Sequence, residues 1–525
     1  MKINKYKWLL LLLAGVFVGC NSDDDNGSVT EEPVVITSGT ADFSNFVAVG
    51  NTLTAGYTDG ALFLAGQKNS LPNILAKQFA LAGGGEFKQP LMSDNLGGLL
   101  LGGNVIPSIP NRLIFDGTGP ARLPGMPATE ITSTLTGPFN NMGVPGAKSF
   151  HLGVKGYGNV AGVLTGQANP YFVRFASSPN TSVIADAVAQ QPTFFSLWIG
   201  NNDVLSYATS GGDGVNQTDN IDPSTYGSND ITNQTVFKNA YTKLVDTLVT
   251  TGADGVLANI PNVIKIPYFT TVPFKPLSPA NPDFGPQIPT LNATFAGLNQ
   301  VFTALGVPER SIVFSSTEAS AVVISDESLT NYSAQIKGAL MQGGLDEGTA
   351  TVFALLYGQA RQATAADLLV LPSSSIIGKL NTEAFDMLVG FGVPPQTAGQ
   401  LAINGITFPL EDKWVLLASE QQDVLTATAA FNQIIKDVAE EKQLAFVDVN
   451  AILDQVATTG VDFDEFSLNS RLVFGGAFGL DGVHPTARGY AYLANKFMEA
   501  INAKYGSNLP AVKARDYNTV FPASL

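Results

Sequence analysis

Four short apolar runs, at 46–49, 194–199, 255–260 and 445–449, each end directly before Gly50, Gly200, Pro261 or Asn450. Runs this short, mostly apolar and stopped by turn-forming residues, fit strands of a parallel sheet buried on both faces. Between them lie stretches where apolar residues recur every three or four positions, at 71–81, 237–250 and 419–441. Strands alternating with helices specify an α/β domain. A chain of 525 residues exceeds what one core usually organises. The stretch 269–415 breaks the alternation. It mixes Pro-rich loops with helical patterns at 336–341 and 349–356, and it is expected to form a large, mostly helical insertion with an apolar core of its own.

The N-terminus has the form of a signal peptide: Lys2, Lys5 and Lys7, an apolar run from Trp8 to Val18, then Gly19 and Cys20. That run is shorter than the roughly 20 residues a spanning helix needs. Cys20 is the single cysteine, so no internal disulfide can form. The segment Phe17-Val18-Gly19-Cys20 resembles the lipobox of bacterial lipoproteins, with Phe17 where leucine is usual, and the resemblance implies lipidation at Cys20. The run Asn21-Ser22-Asp23-Asp24-Asp25-Asn26 reads either as a solvated linker or as a signal for surface export. The expected organisation is a signal peptide over 1–19, a flexible tether over 20–40, an α/β domain over 41–268, the insertion over 269–415, and the rest of the domain over 416–525. The expected location is the cell envelope, lipid-anchored, at an outer membrane and open to surface exposure.

With 28 basic against 44 acidic residues the formal charge is -16, which leaves no basic stripe for nucleic acid. Charged residues are only 14% of the chain, so solubility rests on neutral polar side chains and turns.

Small and polar residues gather where strands are expected to end, the edge at which open parallel sheets bind ligands. These are Gly50-Asn51-Thr52-Leu53, Asn141-Met142-Gly143-Val144-Pro145-Gly146 and Gly200-Asn201-Asn202-Asp203; near the C-terminus follows Asp481-Gly482-Val483-His484-Pro485. In this order they resemble the four blocks of the SGNH/GDSL hydrolases. The resemblance covers about 43–268 and 416–503 and implies a three-layer αβα (flavodoxin-like) domain with a five-stranded parallel sheet, cleaving ester bonds without metal or cofactor.

Acyl transfer needs a nucleophile, a base, a group that orients the base, and donors for the oxyanion. Of the two histidines, His151 and His484, only His484 has a carboxylate, Asp481, at a spacing that reaches its near ring nitrogen. The resemblance assigns Thr52 as nucleophile, His484 as base and Asp481 as its orienting group. It assigns the Thr52 backbone N–H, Gly146 N–H and the Asn202 amide to the oxyanion, with Gly143 as an alternative to Gly146. The family has serine where this chain has Thr52, and aspartate where it has Asn51. Two functions are therefore carried forward: an ester hydrolase using threonine, and a silenced surface lipoprotein that binds a lipid or acylated glycan in the same cleft. The expected partners are an ester-containing small molecule, lipid or acylated glycan, and the membrane through the anchor.

Overall fold

The computed structural model describes residues 35–525. The signal peptide, Cys20 and most of the tether lie outside the described residues. From Ile36 to Leu525 the chain forms one compact unit.

Its centre is a sheet of five parallel strands: β1 (Phe46–Gly50), β2 (Asn141–Gly143), β3 (Phe194–Trp198), β4 (Asp254–Ala258) and β5 (Ala445–Val447), in spatial order β2-β1-β3-β4-β5. Every residue of β1, β2 and β3 is buried, as two covered faces require. The helices Leu71–Phe79 and Ala487–Tyr505 pack together, as do Gln234–Val249 and Ala418–Glu441, and the sheet lies among them. The stacked rings of Phe43 and Phe79, 4.1 Å apart, and of Phe237 and Phe431, also 4.1 Å apart, fill parts of this core.

Four strands follow the apolar runs with ends shifted by one or two residues; the 445–449 run stops at Val447 because Asp448 caps the helix Val449–Thr458. The fifth strand, β2, has no such run. It is three residues of Asn, Met and Gly, and its pairing with β1 rather than intrinsic propensity makes it a strand.

A second apolar core gathers buried residues from Val272 to Leu417. It is built on the helices Ile288–Ala304, Ser333–Gln342, Glu347–Tyr357 and Thr382–Gly390, with the short antiparallel pair Val323–Ser325 and Ala360–Gln362. Phe295 and Tyr357, with ring centroids 5.4 Å apart, lie inside it, and Trp414 packs against both cores. No helix among the described residues is long and apolar enough to cross a membrane.

The second core is tied by an ion-pair cluster in which the Arg361 guanidinium meets Asp326 at 2.6 Å and Asp367 at 2.7 and 2.8 Å. The two carboxylates are almost wholly buried, with side-chain exposures of 4% and 1%. Removing one partner would strand buried charge, which typically costs about 3–5 kcal/mol. Arg361→Ala is therefore expected to lower the unfolding free energy by that amount in urea denaturation, whereas Lys496→Ala, which breaks a surface pair with Glu499, changes it by under about 1 kcal/mol.

Candidate active site

Three loops leave the same edge of the sheet at one level because β1 pairs in register with both neighbours. Gly50 lies opposite Gly143 on one side and Trp198 on the other. The residues that follow, Asn51-Thr52, Val144 to Gly146 and Gly200 to Asn202, are thereby brought together.

Thr52 opens the one-turn helix Thr52–Ala55 and is 8% exposed. Asn51 caps that helix by accepting the Leu53 N–H at 3.2 Å. On the neighbouring loop, residues 144–147 form a turn closed by Ala147 N–H to Val144 O, with Pro145 second and Gly146 third. Gly146 has φ of +79°, the left-handed value the third position of a type II turn demands. This turn directs the Gly146 N–H at Thr52 Oγ1, 3.3 Å away. The alternative donor, Gly143 N–H, is already given to Asn141 Oδ1 at 3.0 Å. Gly143 is glycine for a different reason: a Cβ there would lie 2.4 Å from Ala55 N.

On the third loop Asn202 begins the helix Asn202–Thr209, and its Nδ2 donates to Ala147 O at 3.0 Å. The next residue, Asp203, is fully buried and accepts both the Ser149 N–H at 2.9 Å and the Ser149 hydroxyl at 2.7 Å, tying this loop to the chain beyond Gly146.

The C-terminal loop carries the histidine. His484 Nδ1 lies 2.8 Å from Asp481 Oδ2. Asp481 also accepts the backbone N–H groups of Val483 at 2.8 Å, His484 at 2.9 Å and Gly60 at 2.7 Å. Burial alone would raise the Asp481 carboxyl; the adjacent imidazole and these donors outweigh it and hold the group below the ordinary aspartate range. A carboxylate so fixed orients the ring. Thr486 then caps the helix Ala487–Tyr505, accepting the Gly489 N–H at 2.9 Å.

A clamp that the sequence did not reveal seats this loop. Residues 57–60, just after the Thr52 helix, touch it and the helix that follows it: Asp59 Oδ1 accepts Leu480 N–H at 2.8 Å, Tyr490 OH donates to Tyr57 O at 2.7 Å, and the Tyr57 ring sits 4.7 Å from the His484 ring. Asp59 is 2% exposed, and its burial pushes the carboxyl up to about 7.

Thr52, Asn202 and His484 line one small pocket, together with Asn51 and Asn201. No hydrogen bond joins Thr52 to His484 directly. The Asn201 amide is buried with neither its Nδ2 nor its Oδ1 bonded to the protein, and Asn51 Nδ2 is also without a partner. Buried amides left unpaired are costly, so their presence beside a pocket marks it as a place that receives polar groups. His151 stands elsewhere. Its Nδ1 accepts Lys148 N–H at 3.1 Å, its ring stacks on Tyr157, and burial with the nearby Lys148 charge depresses its pKa to about 4.

Among the described residues, one acidic group has the spacing to hold a metal ion: Glu327, Asp412 and Glu420, with carboxylate oxygens within 4.8 Å of one another. None of the three lines the pocket around Thr52. Burial, reinforced by the neighbouring carboxylates, raises Asp412 to about 7 and Glu420 well above the ordinary glutamate range. A carboxyl raised on folding contributes stability below its unfolded pKa, ~4.3 for Glu, and loses it as pH rises through the folded value. Glu420→Gln keeps the acceptor for Leu417 N–H. The variant's unfolding free energy is accordingly expected to fall less than wild type's between pH 5 and pH 9 in denaturant titrations, and an identical decline in both proteins would contradict this.

The parts that acyl transfer requires, a hydroxyl, an imidazole with its carboxylate and nearby N–H donors, thus converge on one sheet edge. Comparisons with family models, with curated proteins and with solved structures returned no match for the chain.

Proposed function

We propose that this chain is a carboxylic-ester hydrolase of the SGNH/GDSL kind, with Thr52 in place of serine. The observation that carries the reading is the Asp481–His484 pair at 2.8 Å opening into the same pocket as Thr52 and Asn202. Five parallel strands set among helices, with the four blocks meeting at one edge, support a three-layer αβα SGNH domain.

In this reading Thr52 Oγ1 attacks the ester carbonyl carbon, and its proton passes to His484 Nε2. The carbonyl oxygen gains the negative charge, and the Gly146 N–H, Thr52 N–H and Asn202 amide stabilise it. Such donors are typically worth about 10²–10³ in rate each. The C–O bond to the alcohol then breaks, the alcohol departs with the proton from His484, and Thr52 is left acylated. Water attacks next, giving its proton to His484. The carboxylic acid is released and Thr52 regains its proton. Asp481 stabilises the imidazolium in both halves.

The threonine methyl group stiffens the side chain and must fit beside the carbonyl. The second reading, a silenced lipoprotein that binds a lipid or acylated glycan, draws on that methyl and on the absence of a direct Thr52–His484 hydrogen bond. Such bonds are often loose before substrate arrives, which favours the enzyme. The reading places the protein in the cell envelope, lipid-anchored through Cys20 at an outer membrane.

Hydrolysis of p-nitrophenyl esters tests the proposal. Wild type is expected to turn over; Thr52→Ser is expected to equal it or exceed it by about ten- to a hundredfold, as relief of overpacking allows. Asp481→Asn is expected to lower kcat by about 10⁴ and His484→Ala by at least about 10³. Full activity in His484→Ala would overturn the mechanism, and activity gained only on Thr52→Ser would favour the silenced binder.

A further inference from the structure

A second pocket adjoins the one that holds Thr52. It has a cavity volume of about 80 Å³, opens to solvent, and shares four wall residues with its neighbour: Leu53, Pro261, Ile266 and Val483. Its far wall is the helix Val449–Thr458, through Ile452, Leu453 and Val456, closed by Leu468, Phe478 and Leu493. No charged side chain lines it. The indole N–H of Trp198, which also reaches it, is committed to Asn259 O at 3.1 Å. The walls therefore offer aliphatic and aromatic carbon.

The shared residues set a polar pocket and an apolar pocket side by side. At the Thr52 end stand the unpaired amide of Asn201 and the unpaired Nδ2 of Asn51, which suit a polar group. Past Leu53, the residue directly after Thr52, a polar group would lose its hydrogen bonds and only hydrocarbon gains by entering.

We infer that the apolar pocket receives the hydrocarbon chain of an acyl group, and that the substrates are medium- to long-chain acyl esters of a polar alcohol. This rests on the esterase reading and deepens it. The acyl side is chosen because the hydrocarbon and the polar head must lie on opposite sides of the carbonyl that Thr52 attacks. The head then faces Asn201. The acyl group also stays beside Thr52 through both half-reactions, so a pocket that adjoins Thr52 through Leu53 can hold it throughout.

Each methylene moved from water into such a pocket is worth about three- to fourfold in binding. For the full-length protein, kcat/KM for p-nitrophenyl esters is expected to rise about a hundredfold from butanoyl to octanoyl. Ile452 is half-buried on the pocket wall and belongs to no part of the proposed catalytic machinery. Ile452→Trp fills the pocket, so the ratio of octanoyl to butanoyl kcat/KM should fall at least tenfold. Ile452→Ala, a smaller change to the fold, should move the preference toward longer chains.

Dodecanoate binding, followed by calorimetry, separates this inference from the esterase reading. Weaker binding in Ile452→Trp supports the acyl pocket even if no ester is cleaved, in which case the hydrolase reading alone falls. Ester cleavage without chain-length preference, together with dodecanoate binding that ignores Ile452→Trp, overturns the acyl pocket and leaves the esterase standing. Absence of both cleavage and dodecanoate binding overturns both.

Discussion

Everything at the candidate site depends on the two-sided parallel pairing of β1. A parallel strand with a partner on each side and both faces covered resists slipping, because a one-residue shift would swap its side chains between two closely packed faces and break the pairing with both neighbours at once. With Gly50 opposite both Gly143 and Trp198, the three loops that follow leave the sheet at one level. Thr52, Gly146 and Asn202 meet there although up to 150 residues separate them in the chain. The large apolar residues of β1 and β3 supply the driving force, and the glycines at the strand ends remove the side chains that would keep the loops apart.

The fourth loop is positioned from the other direction. Asp481 accepts three backbone N–H groups besides the imidazole, one of them from Gly60. A buried carboxylate with that many donors is stable as an anion and fixed in place. Since Gly60 follows closely on the Thr52 helix, the same carboxylate that orients His484 also ties its loop to the segment carrying Thr52. The clamp through Asp59, Tyr57 and Tyr490 strengthens that tie. Rigid placement of this kind is what a catalytic group needs before substrate arrives.

Much of this was legible from residue order. The four apolar runs mark β1, β3, β4 and β5, and the periodic stretches mark the long helices, because burial on two faces or on one stripe leaves a pattern in the chain. The strand β2 left none: Asn141 and Gly143 are poor strand formers held by their partner and by the Asn141 side chain, whose Nδ2 donates to Thr54 O at 3.1 Å. The Asp481–His484 spacing was readable because the contact is local. The Tyr57–Gly60 clamp, the unpaired Asn201 amide and the apolar pocket were not, since each depends on how segments distant in the chain pack together. The structure also separates Gly146, whose positive φ aims its N–H at Thr52, from Gly143, where the backbone of Ala55 leaves no room for a side chain.

Covalent trapping tests the central claim most directly. The claim is that Thr52 is a nucleophile made reactive by His484. Incubation of the full-length protein with a fluorophosphonate, followed by peptide mass spectrometry, should place the adduct on Thr52, and His484→Ala should abolish it. An adduct on any other residue, or labelling of Thr52 that persists undiminished without His484, would contradict the claim.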